Sequence, residues 1–160
     1  QSSEWTLKVI ATPGHTSNHL CYLWDEENAL FCGDHIMGWS TSVILPPDGN
    51  MAAYLQSLRR VQTLDCSKLW PTHGLPIDNP KQFLTALIQH RLDREAAILR
   101  VVKEGPQDIM SIVQILYTDT PQTLYPAAVR SVYAHLLKLL EEGRVSVDGK
   151  VSLESIYMLV

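Results

Sequence analysis

The chain has 160 residues, of which 46% are hydrophobic and 19% charged, and its formal net charge is −4. This composition is typical of a globular protein, and it excludes a disordered chain and a polycation that binds nucleic acid without regard to sequence. No uninterrupted apolar stretch reaches the ~18 residues that a membrane-spanning helix needs, and no secretion signal opens the sequence.

The first half of the sequence alternates short strands with one amphipathic helix. Strands are predicted at residues 5–11, 19–24, 29–32 and 68–71, each bounded by turn-forming residues. Asn50 is a favourable N-cap for a helix whose apolar residues recur at helical spacing from Met51 to Val61. This alternation predicts an α/β layer architecture. Because the sequence has no initiator Met and begins almost at once on a strand, we expect it to be a segment of a longer protein.

The second half has a different organisation. One long helix is predicted from Pro80 to about Glu104, and shorter helices at 108–117 and 126–142 follow it. Strands at 144–147 and 151–156 flank Asp148-Gly149, a strong signal for a two-residue hairpin turn. Three helices followed by a hairpin is the order of a winged-helix-like α+β domain. We therefore predict two domains, at residues 1–92 and 93–160.

Three segments carry side chains that can bind a metal, and each lies on a glycine-containing turn directly after a strand. They are TPGHTSNH (Thr12–His19), FCGDH (Phe31–His35) and PTHG (Pro71–Gly74). Strand ends are where α/β folds assemble sites, and two imidazoles with one carboxylate suit zinc. His15, Asp34 and His73 are the predicted ligands. The alternative is that they are turn residues whose side chains bind backbone groups.

The combination of TPGHT, GD and a downstream His-Gly resembles the metallo-β-lactamase-fold hydrolases, in particular their glyoxalase II-like, β-lactamase-like protein 2 branch. The resemblance extends over nearly the whole chain and implies the C-terminal half of the αββα fold. It implies that His15 binds the first metal, that Asp34 is the catalytic carboxylate bridging both metals, and that His73 binds the second. Family members use two metals, usually zinc, with a bridging hydroxide.

The sequence departs from this family in one respect. The HxHxDH motif, which supplies two ligands to each metal and lies N-terminal to this region in the family, is absent, and no His-x-His occurs anywhere. We therefore expect the isolated chain to bind zinc weakly and to be inactive. A longer parent would be a metal-dependent hydrolase of an ester, a thioester or an RNA phosphodiester.

Four further residues are candidates for orienting the ligands or contacting substrate. They are His19, His35, Thr41 and Ser42. For His19 a plain strand-edge histidine is nearly as good an interpretation. The His35 side chain could equally face the cleft or point away from it, and loop packing is an equally good interpretation for Thr41 and Ser42. His90 and His135 lie on predicted helices and are interpreted as structural.

Partners and compartment follow from charge and cysteine content. From Arg100 onward the sequence has six basic and seven acidic residues, and this balance argues against sequence-specific DNA binding by the tail. Two roles for the tail stay open: packing against the rest of the protein, or contact with single-stranded RNA, which the resemblance implies.

Three cysteines without CxxC spacing predict free thiols in the cytoplasm. The alternative function is a non-catalytic interaction module that forms a homodimer.

Overall fold

The computed structural model describes residues 4–160, which form two compact units, the first ending at His90 and the second beginning at Arg91. This division and the predicted one after residue 92 both fall within the same helix. The strands are β1 (Leu7–Ala11), β2 (Leu20–Trp24), β3 (Ala29–Gly33), β4 (Lys68–Pro71), β5 (Val145–Val147) and β6 (Tyr157–Leu159). The α-helices are α1 (Met51–Gln62), α2 (Pro80–Lys103), α3 (Ile109–Leu116) and α4 (Tyr125–Glu141). None of the helices among the described residues has the length and apolar character needed to cross a membrane.

The first unit contains a four-stranded sheet in the order β1-β2-β3-β4. β2 is antiparallel to both β1 and β3, and β4 is parallel to β3. β1, β3 and β4 therefore run in the same direction, and their C-terminal ends lie at one edge of the sheet. The start of β2 lies at that edge as well. This topology brings the three predicted ligand loops to the same edge.

One face of this sheet belongs to a buried core. Cys21, Leu30, Cys32 and Leu69 are fully buried, as is the apolar stripe of α1 that the sequence predicts. α1 begins at the predicted N-cap, because the Asn50 side chain accepts a hydrogen bond from the Ala53 amide. Arg60 of α1 donates to the carbonyl of Ala11 at 3.3 Å, which ties this helix to the end of β1.

The opposite face of the sheet is apolar and exposed. Four aligned residues cross it from β1 to β4, and Val9 is 60% exposed, Tyr22 39%, Phe31 38% and Trp70 41%. A row of large apolar side chains in register on all four strands is more than scattered surface hydrophobicity. The face therefore has the character of an interface.

This exposed face predicts that the chain binds a hydrophobic dye or self-associates. We expect the double substitution Val9→Thr and Phe31→Thr to lower dye fluorescence and the apparent mass in gel filtration, because it removes apolar area while threonine, a β-branched residue, still suits a strand. Ile115→Thr, an equally simple change at an exposed position on α3, is the control and should alter neither. A monomer at all concentrations that binds no dye would contradict this prediction.

The second unit is built around one apolar cluster. Ile98, Ile112, Val132, Leu136 and Tyr157 are fully buried within it, and they come from all three helices and from β6. Asp108 caps α3 by accepting from the Ser111 amide at 2.9 Å. The second unit thus has the predicted winged-helix order of helices followed by a two-stranded sheet.

The predicted hairpin turn in this sheet is wrong. β5 pairs with Tyr157–Leu159 and not with residues 151–156, so Asp148-Gly149 opens a longer wing loop. The Ser152 amide donates to the Ser155 hydroxyl, and the two hydroxyls also contact each other. These bonds give that loop a turn of its own. Tyr157 explains the register, because its fully buried ring joins the apolar cluster while Val151 and Ile156 stay exposed.

A buried carboxylate links α2, α4 and the start of β5 within the second unit. Glu95 accepts from Lys138 Nζ at 3.0 Å and from Arg144 Nη1 at 3.4 Å, and the fully buried His135 lies 3.6 Å away. Burial alone raises the pKa of Glu95, but the bonds and charges of His135 and Lys138 outweigh it and bring that pKa below 4.5. Glu95 therefore stabilises the fold as a carboxylate.

Glu95→Gln is expected to lower the free energy of unfolding by about 2–3 kcal/mol at neutral pH, because it leaves Lys138 without its buried partner. A folded-state pKa below the unfolded value means that this stabilisation is present above pH ~4.5 and is lost below it. The difference between wild type and variant in urea denaturation should therefore shrink as the pH falls. Glu154→Gln in the exposed wing is the control. An unchanged difference down to pH 3 would be inconsistent with this assignment.

Candidate metal centre

Asp34 lies between the imidazoles of His15 and His73. Its Oδ2 is 4.0 Å from His15 Nε2, and its Oδ1 is 3.5 Å from His73 Nε2. The structure thus brings together the three side chains singled out in the sequence. Oδ1 is buried and accepts no hydrogen bond from the described residues.

The orientation of His15 determines which of its nitrogens faces Asp34. His15 Nδ1 lies 2.7 Å from the carbonyl oxygen of Val43. A carbonyl only accepts, so Nδ1 carries the proton of that hydrogen bond and Nε2 is the nitrogen turned toward Asp34. His15 Nε2 and Asp34 Oδ2 are 4.0 Å apart, too far for a direct hydrogen bond. This arrangement fits a cation, which would accept electron pairs from both.

Ser42 stabilises the loop after β3 by hydrogen bonds to its backbone. Ser42 is buried, and its Oγ lies 2.6 Å from the carbonyl of Asp34 and 2.8 Å from that of His35. Its role is therefore to set the backbone on which the Asp34 carboxylate is carried. Thr41 beside it is half-buried and lines a separate cleft with Trp39.

His19 lies beside the centre and is oriented by Thr12. The Thr12 hydroxyl is 2.8 Å from His19 Nδ1, and the His15 and His19 rings are 6.2 Å apart in an edge-on arrangement. Burial and the proximity of His15 lower the pKa of His19, against a smaller opposing effect of Asp34. Gly33 leaves room for this ring, since a Cβ there would stand 2.8 Å from His19 Nε2.

His35, a candidate for orienting the ligands or contacting substrate, lies in the buried core. It is fully buried, it packs edge-on against Tyr54 at 4.8 Å, and neither ring nitrogen has a hydrogen-bond partner among the described residues. Burial, with smaller contributions from His19 and His15, lowers the pKa of His35 to about 3. It is therefore a neutral ring within the core below the centre.

The three residues alone do not enclose a metal ion. In the part of the chain that the structure describes, no group of three or more His, Cys, Asp or Glu side chains is arranged to hold one. Asp34 approaches each imidazole separately, and the three side chains do not converge on one point. The donor types and the unpartnered carboxylate oxygen fit a divalent cation, and the number of donors fits only part of its shell.

The TPGHT turn depends on a close backbone contact at Gly14. This glycine has φ +136°, and a Cβ on it would stand 2.3 Å from the Cα of Tyr54 on α1. The Gly14 carbonyl also accepts from the Asn50 amide at 2.9 Å. Contact with α1 therefore fixes the position of His15.

Family models match both units. Residues 2–73 match the metallo-β-lactamase superfamily, and residues 109–152 match the β-lactamase-associated winged helix domain. With the sheet, the three converging loops and the winged-helix unit, these matches define the class of the protein: the chain belongs to the metallo-β-lactamase superfamily and carries this associated winged helix.

Its relatives include the β-lactamase-like protein 2 homologs. The chain is 37% identical over 141 residues to that of Caenorhabditis elegans, covering 88% of this chain and 46% of the relative. It is 34% identical over 145 residues to that of Drosophila melanogaster, covering 89% and 48%. A crystal structure of a metallo-β-lactamase family protein from Thermus thermophilus superposes with a TM-score of 0.82 at 25% identity, over 100% of this chain and 51% of that one. The chain thus spans about half the length of the curated relatives it matches.

Gly14→Ala is expected to destabilise the chain by about 2–3 kcal/mol and to displace His15, because the new Cβ would collide with the backbone of α1. Gly105→Ala is a matched control, since Gly105 also has a positive φ, +149°, but no heavy atom within 4 Å of the added Cβ. Urea denaturation and the NMR signals of the His15 ring measure the two effects. Equal destabilisation by both substitutions would show that the contact with α1 is unimportant.

Proposed function

We propose that this chain supplies one side of the metal centre of a two-zinc hydrolase, with His15, Asp34 and His73 as ligands. The observation that carries the proposal is His15 Nε2 turned toward the Asp34 carboxylate at 4.0 Å, while Asp34 Oδ1 lacks a hydrogen bond among the described residues. Two lone-pair donors oriented toward each other repel unless a cation or proton lies between them. The family match supports the cation.

The residues of this chain have distinct tasks in that centre. Asp34 has two carboxylate oxygens, each nearest a different imidazole, which suits a ligand shared by two metals. His15 is kept in one tautomer by its bond to Val43, and Ser42 fixes the backbone that carries Asp34. When bound, zinc lowers the pKa of a coordinated water to about 7 and polarises a substrate carbonyl or phosphoryl group.

The remaining ligands, in this proposal, come from a segment with the family's HxHxDH motif, which this sequence does not contain. The chain by itself is then inactive, and a longer protein that includes it hydrolyses an ester, a thioester or an RNA phosphodiester. A cytoplasmic location is part of the same proposal. Cys21 and Cys32 are free and buried, and burial raises the pKa of the Cys21 thiol to about 11, so both are unreactive core residues.

A second function has one observation in its favour. The exposed apolar row on the sheet suits a non-catalytic module that forms a homodimer through this face. The two proposals differ in what they require of Asp34, since a dimer through the exposed face of the sheet needs no metal ligand. Zinc binding therefore separates them.

Zinc titration of the metal-free chain, monitored by calorimetry, is expected to show weak binding that Asp34→Asn lowers at least tenfold, because the amide loses the ligand charge. Asp78→Asn is the matched control, since Asp78 is an exposed carboxylate paired with Lys68 and should leave zinc affinity unchanged. Equal affinities for the wild type and Asp34→Asn would refute the proposed ligand set. Two ions retained through dialysis, measured by mass spectrometry, would refute the incomplete shell.

A further inference from the structure

We propose that His135 is a pH-sensitive switch in the second unit, and that its protonation in mild acid loosens α4 from the second half of α2. His135 lies on α4 and is fully buried. Neither of its ring nitrogens has a hydrogen-bond partner among the described residues. Such a site favours the neutral ring, because a buried charge without a partner costs free energy. The switch needs neither a metal nor a substrate.

The carboxylate beside His135 is already occupied by other cations. Glu95 Oε2 lies 3.6 Å from His135 Nδ1, which is too long for a direct hydrogen bond. The two oxygens of Glu95 are 2.8 Å and 3.0 Å from Lys138 Nζ, and Oε1 is 3.4 Å from Arg144 Nη1. Glu142 binds the same two cations, at 2.7 Å and 3.6 Å. A charged His135 would therefore compete with Lys138 and Arg144 for Glu95.

The remaining charge near His135 also opposes its protonation. Arg91 lies one turn before Glu95 on α2 and is itself buried. Burial is the largest influence on the pKa of His135 and lowers it. Glu95 opposes this effect, whereas the positive charges of Arg91 and Lys138 add to it, so the pKa lies below 6.5. Geometry and charge thus agree that the folded unit holds His135 neutral.

The direction of the pH dependence follows from this difference. In the unfolded chain the His135 ring takes up a proton near pH 6.5, whereas in the folded unit it resists protonation. The unfolded state then binds more protons below pH 6.5, so the stability that the neutral ring contributes is present above that pH and falls below it. One such group changes the folding equilibrium by at most about tenfold per pH unit. The effect begins at a higher pH than the loss of the Glu95 carboxylate.

Hydrogen exchange of the full chain tests the switch in the wild type, His135→Leu and His135→Gln at pH 7.5 and pH 5.0. Protection factors are compared, so that the intrinsic pH dependence of exchange cancels. Neither replacement titrates, and the two differ in polarity, so they perturb the packing differently. Between the two pH values, α4 amides are expected to lose protection at least about threefold more in the wild type than in either variant. Amides of α1, in the first unit, should show no such difference.

His90→Gln is the matched control, since it removes an exposed histidine from α2 and should keep the wild-type pH dependence. NMR signals of the His135 ring provide a measurement without any substitution, and their midpoint is expected below pH 6.5. Three results would overturn the proposal: a midpoint at or above pH 6.5, the same pH dependence in the wild type and the His135 variants, or a loss of protection in α1 equal to that in α4.

Discussion

The position of the Asp34 carboxylate between two imidazoles is the constraint on which the site depends. Two hydrogen bonds orient this group: His15 Nδ1 donates to the Val43 carbonyl, and the Ser42 hydroxyl donates to the carbonyl of Asp34. The fold therefore orients His15 Nε2 and the Asp34 carboxylate and leaves Asp34 Oδ1 without a hydrogen bond among the described residues. Such an arrangement costs stability in a protein that binds nothing, because buried acceptors lose their water. It is explained when a cation completes it.

The sheet topology accounts for why three loops far apart in sequence meet. β1, β3 and β4 point the same way, so the residues that follow them emerge at one edge. Close backbone packing then fixes the positions of these loops, since Gly14 lies against Tyr54 of α1 and Gly38 lies against Gly74. Side chains at these glycines would separate the loops from their supports. The glycines thus matter as points of contact, and the ligands depend on them.

Much of the fold could be predicted because its signals are local. The Asn50 cap, the stripe of α1 and the strand at Lys68–Pro71 depend on neighbouring residues, and the structure reproduces them. The wing was mispredicted because its register depends on Tyr157 reaching a cluster formed by distant helices. The Glu95–Lys138 pair was not predicted for the same reason, since it joins residues 43 positions apart. The ligand assignment itself came from glycine-bearing turns and from the family resemblance, and it stays a prediction.

Two features of the first unit, its incomplete set of proposed ligands and its exposed apolar sheet face, have one common explanation. The three proposed ligands supply only part of a metal's coordination shell, and the sheet leaves the row from Val9 to Trp70 exposed. A second sheet packed on that face would bury the apolar row, and loops at its matching edge would reach the open side of Asp34. A dimer through the same face would bury the row but would bring a second Asp34 set, not the missing histidines. Completion of the metal shell therefore distinguishes a covering segment of different sequence from a second copy of this chain.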